Sequence, residues 1–284
     1  MYYIPFLGAL ALGAGTILEK IVLRKRKIDI KLYQTASFLA ITLTILPFIY
    51  FFWRLDSLAW EMKNIFIFAL VILFSLAANM FTFYSMKWEK ISNIEPAKIL
   101  EPLFVILLAI IFSYIFGQTL FEKNPKIIIS ALIAGLALVL SHIRKHHLKF
   151  NKYFLAAIAG SFFFALELVV SRLILNFYSP IAFYFLRCLA IFLISLIIFR
   201  SKFSNLNSRV KWEILITGAI WSLYRIIVYY GYINIGVIFT TLMVMLGPVF
   251  IYLFAWKFLK EKLDWRNITA AIIIVGSVLY AVLG

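Results

Sequence analysis

The chain has 284 residues, 64% of them hydrophobic and 14% charged, with a mean hydropathy of +1.00. Soluble domains carry about 25% charged residues, so one water-soluble core cannot hide this excess, and lipid must solvate much of the surface. The apolar residues run in long unbroken blocks instead of alternating, which selects helices over a membrane barrel. The net charge of +16 would suggest nucleic acid in a soluble protein, but the basic residues sit in short gaps between apolar blocks, as the positive-inside rule expects. Membrane lipid is the expected surroundings, and no nucleic-acid partner is expected.

A crossing helix needs about 20 mostly apolar residues. Ten stretches qualify in chain order: 3–23, 32–52, 64–86, 95–116, 126–142, 152–175, 180–199, 212–233, 236–258 and 267–283. The first lacks a basic segment before its apolar run and reads as a retained helix, not a cleaved signal. Its Glu19 and Lys20 lie within a turn of the basic loop that follows, which predicts interfacial placement for both. Span 3 carries Asn79. Span 4 carries Glu95, Lys98 and Glu101, spaced by three and therefore on one helical face, with Pro102 directly after. Pro102 frees a backbone carbonyl one turn earlier, a group able to line a polar cavity.

Span 6 holds Glu167, deep in the helix, and Arg172, close enough to its end to snorkel. Span 7 holds Arg187 and the only cysteine, Cys188, so no internal disulfide is possible. Span 8 places Arg225 mid-helix among Trp221, Tyr224, Tyr229 and Tyr230. A guanidinium ringed by aromatics suits a carboxylate or a planar ligand, or else an ion pair with Glu167 that locks helices 6 and 8. His142, His146 and His147 fall in or beside a basic loop with no Cys or carboxylate to complete a metal site, so no metal and no cofactor is expected. Small-residue runs Gly8 to Gly15, Ala131 to Gly135 and Ala156 to Gly160 suit close helix packing.

Loops 1–2, 3–4, 5–6, 7–8 and 9–10 carry most of the Lys and Arg, including Arg24, Lys25, Arg26, Lys27, Arg144, Lys145, Lys149, Arg209, Lys211, Lys260 and Lys262. The other side has only Arg54, Lys63, Lys123 and Lys126. This bias puts the odd-numbered loops in the cytoplasm and both termini outside.

The two halves resemble each other. Glu101-Pro102-Leu103-Phe104 and Gly247-Pro248-Val249-Phe250 are 146 residues apart, and Phe83-Tyr84 falls on Tyr229-Tyr230 at the same offset. Gly8 and Lys20 fall on Gly160 and Arg172 at an offset of 152, while Ser37-Phe38-Leu39-Ala40 falls on Arg187-Cys188-Leu189-Ala190. Gly135 pairs with Gly276, and Asn79 with Arg225. Five helices per copy is an odd number, so the second copy inserts upside down, as in secondary transporters with a midplane site. The expected fold is an all-α integral membrane protein of ten transmembrane helices in two inverted five-helix repeats, residues 1–142 and 152–284.

With these features the chain resembles the drug/metabolite transporter superfamily, with two EamA-type repeats over essentially its whole length. The resemblance rests on the ten spans, the five-plus-five duplication and the proline-Phe segments of spans 4 and 9. It also rests on Phe258-Leu259-Lys260-Glu261-Lys262-Leu263 after the second proline helix and on the arginine in Phe185-Leu186-Arg187-Cys188. The chain departs from the pattern at Gln118, opposite Glu261, at Ser37, opposite Arg187, and at Glu101 before Pro102. The resemblance implies cytoplasmic termini, the reverse of the charge bias, so orientation stays open between the two.

A charge at the bilayer centre costs at least about 2.5–3.5 kcal/mol and marks function by default. The expected substrate-binding set is Asn79, Lys98, Glu101, Glu167, Arg187, Trp221, Tyr224, Arg225 and Tyr230. The expected activity is secondary transport of a small polar metabolite, an amino acid or related compound, exported or exchanged by alternating access in the cell membrane. Proton coupling through Glu101 or Glu167 is possible chemistry for it. A flippase for a lipid-linked anionic carrier is the alternative on the same fold. An enzyme would need a nucleophile with a base, or metal ligands, at membrane depth, and the spans offer neither. No Gly-rich loop ending in Gly-Lys-Ser/Thr supplies a nucleotide site. Oligomeric state stays open between monomer and homodimer.

Overall fold

A computed structural model describes residues 3–25, 28–89, 94, 97–116, 124–142, 151–250 and 265–283. No β-strand and three short 3₁₀ turns occur among these residues, with ten α-helices of defined bounds. They are α1 (Tyr3–Leu23), α2 (Ile30–Phe52), α3 (Met62–Trp88), α4 (Leu100–Phe116), α5 (Pro125–His142), α6 (Lys152–Ser171), α7 (Pro180–Phe199), α8 (Ser208–Asn234), α9 (Val237–Val244) and α10 (Trp265–Leu283). The single isolated bridge joins Leu55 to Tyr178. Glu95, Gln118, Lys123, His146, His147, the other basic residues of loop 5–6 before Asn151, and Lys257 to Lys262 lie outside the described residues.

The helix starts follow from local chemistry. The first backbone N–H groups of a helix have no partner within it, and a short polar side chain just before supplies one. Asn151 accepts from the N–H of Tyr153 and Phe154, Ser179 from that of Ala182, and Asn207 from that of Val210. Pro180 occupies the first turn of α7, where its missing N–H costs nothing. The helix expected over 152–175 stops early. After Ser171 the bonds tighten to three-residue steps, Arg172 N to Val169 O and Leu173 N to Val170 O.

Six helices are long and apolar enough to cross a membrane: α1, α2, α3, α6, α7 and α8. The other four are shorter as described. The order is the same in each half, three long and then two short. The two proline helices also break alike. A turn interrupts the first at Ile99 and the second at Met245, in each case three residues before the proline, Pro102 and Pro248. Proline cannot donate to the carbonyl four residues back and its ring pushes that carbonyl aside. In the first half Ser161 of α6 meets the exposed carbonyls, donating to Ala97 O at 3.0 Å and Lys98 O at 3.5 Å.

The main packing runs between halves, not within them: α3 on α6, α1 on α8, α2 on α7 and α5 on α10. The pairs α4–α6 and α9–α1 follow the same exchange rule. Glycines set the closest approaches. A Cβ on Gly160 would lie 2.5 Å from Thr82 Oγ1 and 3.2 Å from its backbone nitrogen, and one on Gly8 would lie 3.0 Å from an Ile227 methyl.

The described ends of loops 1–2, 3–4, 5–6 and 7–8 meet on one face. There Lys20 donates to the carbonyls of Met86 and Glu89, and Lys87 donates to Ile28 O at 2.5 Å. Lys25 pairs with Glu213, and Asn151 donates to Glu89 at 2.8 Å. On the opposite face Arg54 donates to Asn176 O at 2.9 Å, Asp56 N to Phe177 O at 2.8 Å and Ser179 to Phe52 O at 2.5 Å. Exposed Trp88, Trp212 and Trp265 ring the basic end, and Tyr50, Trp53, Trp60 and Tyr114 ring the other. Such belts mark the two membrane interfaces.

Lys20 lies at the basic end, as the sequence predicts, but it and Glu19 are buried in protein, the Lys20 ammonium donating to the C-terminal carbonyls of α3. One sequence expectation fails here. Arg172 does not snorkel out. It is buried and donates to Asn176 Oδ1 at 3.1 Å, held by the 3₁₀ turns that end α6.

Candidate functional site

The charged centre is built by three helices of the second half. Glu167 of α6 is fully buried. Arg187 of α7 donates to Glu167 Oε1 and to the Tyr229 hydroxyl, and Tyr229 of α8 donates to the same carboxylate oxygen at 2.5 Å. Arg225 stands 3.5 Å from Glu167 Oε2. A buried carboxylate is tolerated only when it is paired and hydrogen-bonded, and these neighbours supply both conditions. Rings shield the cations: Arg187 lies 4.7 Å from the Tyr184 centroid, and Arg225 lies 5.1 Å from that of Phe164.

One carboxylate serves two guanidinium groups, so hydrogen-bonding capacity is left over. Arg187 Nε and Trp221 Nε1 are buried without an acceptor, and Arg225 Nη1 has only its 3.5 Å ion pair with Glu167 Oε2. All three residues line a cavity of about 170 Å³ between the halves. Its wall also includes Glu19, Asn79, Lys98, Glu101, Tyr224 and both prolines, Pro102 and Pro248. The proline breaks bring irregular backbone to the cavity wall, the setting in which non-helical backbone is tolerated at membrane depth.

Seven of the nine residues singled out from sequence line the cavity: Asn79, Lys98, Glu101, Arg187, Trp221, Tyr224 and Arg225. Glu167 stands behind the wall and holds the two arginines. Tyr230 is not among the lining residues, and neither is its neighbour Tyr229, which instead bonds Glu167 and Arg187 behind the wall. Residues four apart share a helix face, so Arg225 and Tyr229 point the same way and Tyr230 does not. That spacing was the missed signal. Glu19 also lines the cavity, although its nearness to the basic loop points in sequence only to the interface. Asn79 binds its own helix, donating to Ser75 O at 2.7 Å. Lys98 reaches Met86 Sδ at 3.7 Å, and no ion pair within 4 Å joins it to Glu101 among the described residues. No group of three potential metal ligands occurs among the described residues.

Fold and site together define the class: a multi-pass helical membrane protein with a charged central cavity. Residues 151–283 match the model of the EamA-like transporter family, a family of membrane transporters within the drug/metabolite transporter superfamily. Members of the family are transporters, not enzymes. No curated protein sequence matches. A solved structure, "Crystal structure of protein", is similar with a TM-score of 0.68 at 17% identity, over 99% of this chain and 95% of that one. At that identity the likeness speaks for the fold, from end to end.

Proposed function

We propose that this protein is a secondary transporter that exports or exchanges a small polar metabolite, an amino acid or related compound, by alternating access. The observation carrying this reading is the cavity lined by Arg187, Arg225 and Trp221, where Arg187 Nε and Trp221 Nε1 have no acceptor and Arg225 Nη1 has only a 3.5 Å ion pair. An anionic group of a ligand would satisfy them, and Glu19 and Glu101 on the same wall suit a cationic group. Residues 1–142 and 152–284 act as two inverted repeats that rock about this cavity. Either Glu101 or Glu167 serves as the protonatable group if transport is proton-coupled. Nine helices contribute to the lining among the described residues. That favours a small solute over the lipid-linked carrier, which would need a sideways opening. The positive-inside rule puts the basic face in the cytoplasm of the cell membrane.

Purified protein in liposomes loaded with mixed amino acids and related metabolites tests the proposal. Efflux of at least one compound above that of protein-free and Arg225→Ala liposomes, with or without a proton gradient, is expected. No movement of any compound under either condition would overturn it.

A further inference from the structure

Two edge-to-face aromatic pairs occupy corresponding places in the halves. Tyr33 of α2 meets Phe83 of α3 with ring centroids 4.9 Å apart at 78°, and Phe183 of α7 meets Tyr229 of α8 at 5.1 Å and 89°. Tyr33 and Phe183 are separated by the same 150 residues as Ser37 and Arg187. Phe83 and Tyr229 are separated by the same 146 as the two prolines. All four side chains are buried. The first pair lies toward the basic face, where α2 begins and α3 ends. The second lies toward the opposite face, where α7 begins and α8 ends.

Their polar ends differ. The Tyr33 hydroxyl is buried beside the Glu19 carboxylate and has no bond to Glu167, Arg187 or Arg225. The Tyr229 hydroxyl donates to Glu167 at 2.5 Å and accepts from Arg187. Behind the second pair stand Phe68 and Tyr178, each in ring contact with Phe183, and the backbone bonds that join loops 2–3 and 6–7. The cavity lies on the other side of this plug. Its first-half wall comes from residues such as Glu19, Ser37, Thr82 and Met86, within a few turns of the basic face.

We propose that Tyr229 is a positioning residue for transport. It holds the aromatic gate on the face opposite the basic loops, and its bond to Glu167 ties that gate to the charged centre. A ligand anion that engages Arg187 and Arg225 competes with Glu167 for them. The Glu167–Tyr229 bond then loses its fixed setting, and the Phe183–Tyr229 pair is free to part. The Tyr33–Phe83 pair has no bond to Glu167, Arg187 or Arg225 and moves independently of that cluster. The inference rests on the alternating-access reading, but its test needs no substrate.

Thr16 lines the cavity and serves as a reporter when changed to Cys in a Cys188→Ser background. Right-side-out and inside-out vesicles are exposed to a membrane-impermeant maleimide. With Tyr229 intact, labelling is expected from one side only. Tyr229→Phe keeps the ring and removes the bond, so labelling from the second side should rise several-fold, while Tyr33→Phe leaves the one-sided pattern unchanged. One-sided labelling in Tyr229→Phe, or equal two-sided labelling in Tyr33→Phe, would overturn the proposal. If Tyr229→Phe does not reach the membrane, Phe183→Leu tests the same gate with the same expected outcome. A protein that moves no metabolite in liposomes still gives a decisive labelling pattern, so the two readings fail separately.

Discussion

The two halves share a helix order, a proline break and a packing rule, yet they carry different chemistry at matching positions. In the second half Glu167, Arg187, Arg225 and Tyr229 form one bonded cluster. The first half has Gly15, Ser37, Asn79 and Phe83 at those places, and none is charged. Conversely, Lys98 and Glu101 correspond to Val244 and Gly247. The scaffold is close to symmetric because backbone packing depends on small residues and apolar faces. The ionic groups of the cavity are placed once each, so the cavity is polar along its axis and its two ends are not equivalent.

The comparison breaks most sharply at the cluster. Glu167→Ala leaves two buried guanidinium groups without their carboxylate. Removing one partner of a buried pair costs about 3–5 kcal/mol, so a large fall in Tm in detergent is expected. Ser37→Ala, at the position matching Arg187, should shift Tm far less. Equal shifts would mean that the charged centre is not what holds α6, α7 and α8 together.

A smaller contrast lies in the helix contacts. Gly160→Ala forces a methyl against Thr82, whose backbone nitrogen cannot yield. Gly8→Ala meets only a side-chain methyl of Ile227. Overpacking costs about 1–3 kcal/mol, and the Gly160 variant should stand at the upper end and the Gly8 variant at the lower. Thermal unfolding of the two proteins checks the order. If Gly8→Ala is the worse, the close approach of α3 and α6 is not the tighter of the two.

The smallest effect is expected at Asn79, which matches Arg225. Its amide donates within α3 to Ser75 O, and side-chain hydrogen bonds measured within membranes average about 0.6 kcal/mol. Asn79→Ala should therefore be nearly silent in Tm, while Arg225→Ala is not. A large loss from Asn79→Ala would show that the first half carries a polar anchor of its own.

Much of the site was legible because charge is rare in an apolar span. Arg187, Arg225, Lys98 and Glu101 stood out as exceptions, and all four reach one cavity. Glu167 stood out equally, but as a support behind the wall, since burial depth does not say which side of a helix meets the cavity. Tyr229 was hidden among similar aromatics, and only its place four residues after Arg225 distinguishes it from Tyr230. Glu19 was hidden by its neighbours, because a residue near a helix end faces water or protein according to what packs beside it.

By itself the sequence determined the solvent, the helices and the duplication. Each is written in local composition: the apolar blocks, the basic gaps between them, and prolines that recur at a fixed offset. Tertiary structure decided which charges pair. Glu167 lies 20 residues from Arg187 and 62 from Tyr229 along the chain. Which of several buried cations meets a carboxylate depends on how α6, α7 and α8 turn against one another, and glycines and side-chain shape set that rotation across the whole molecule.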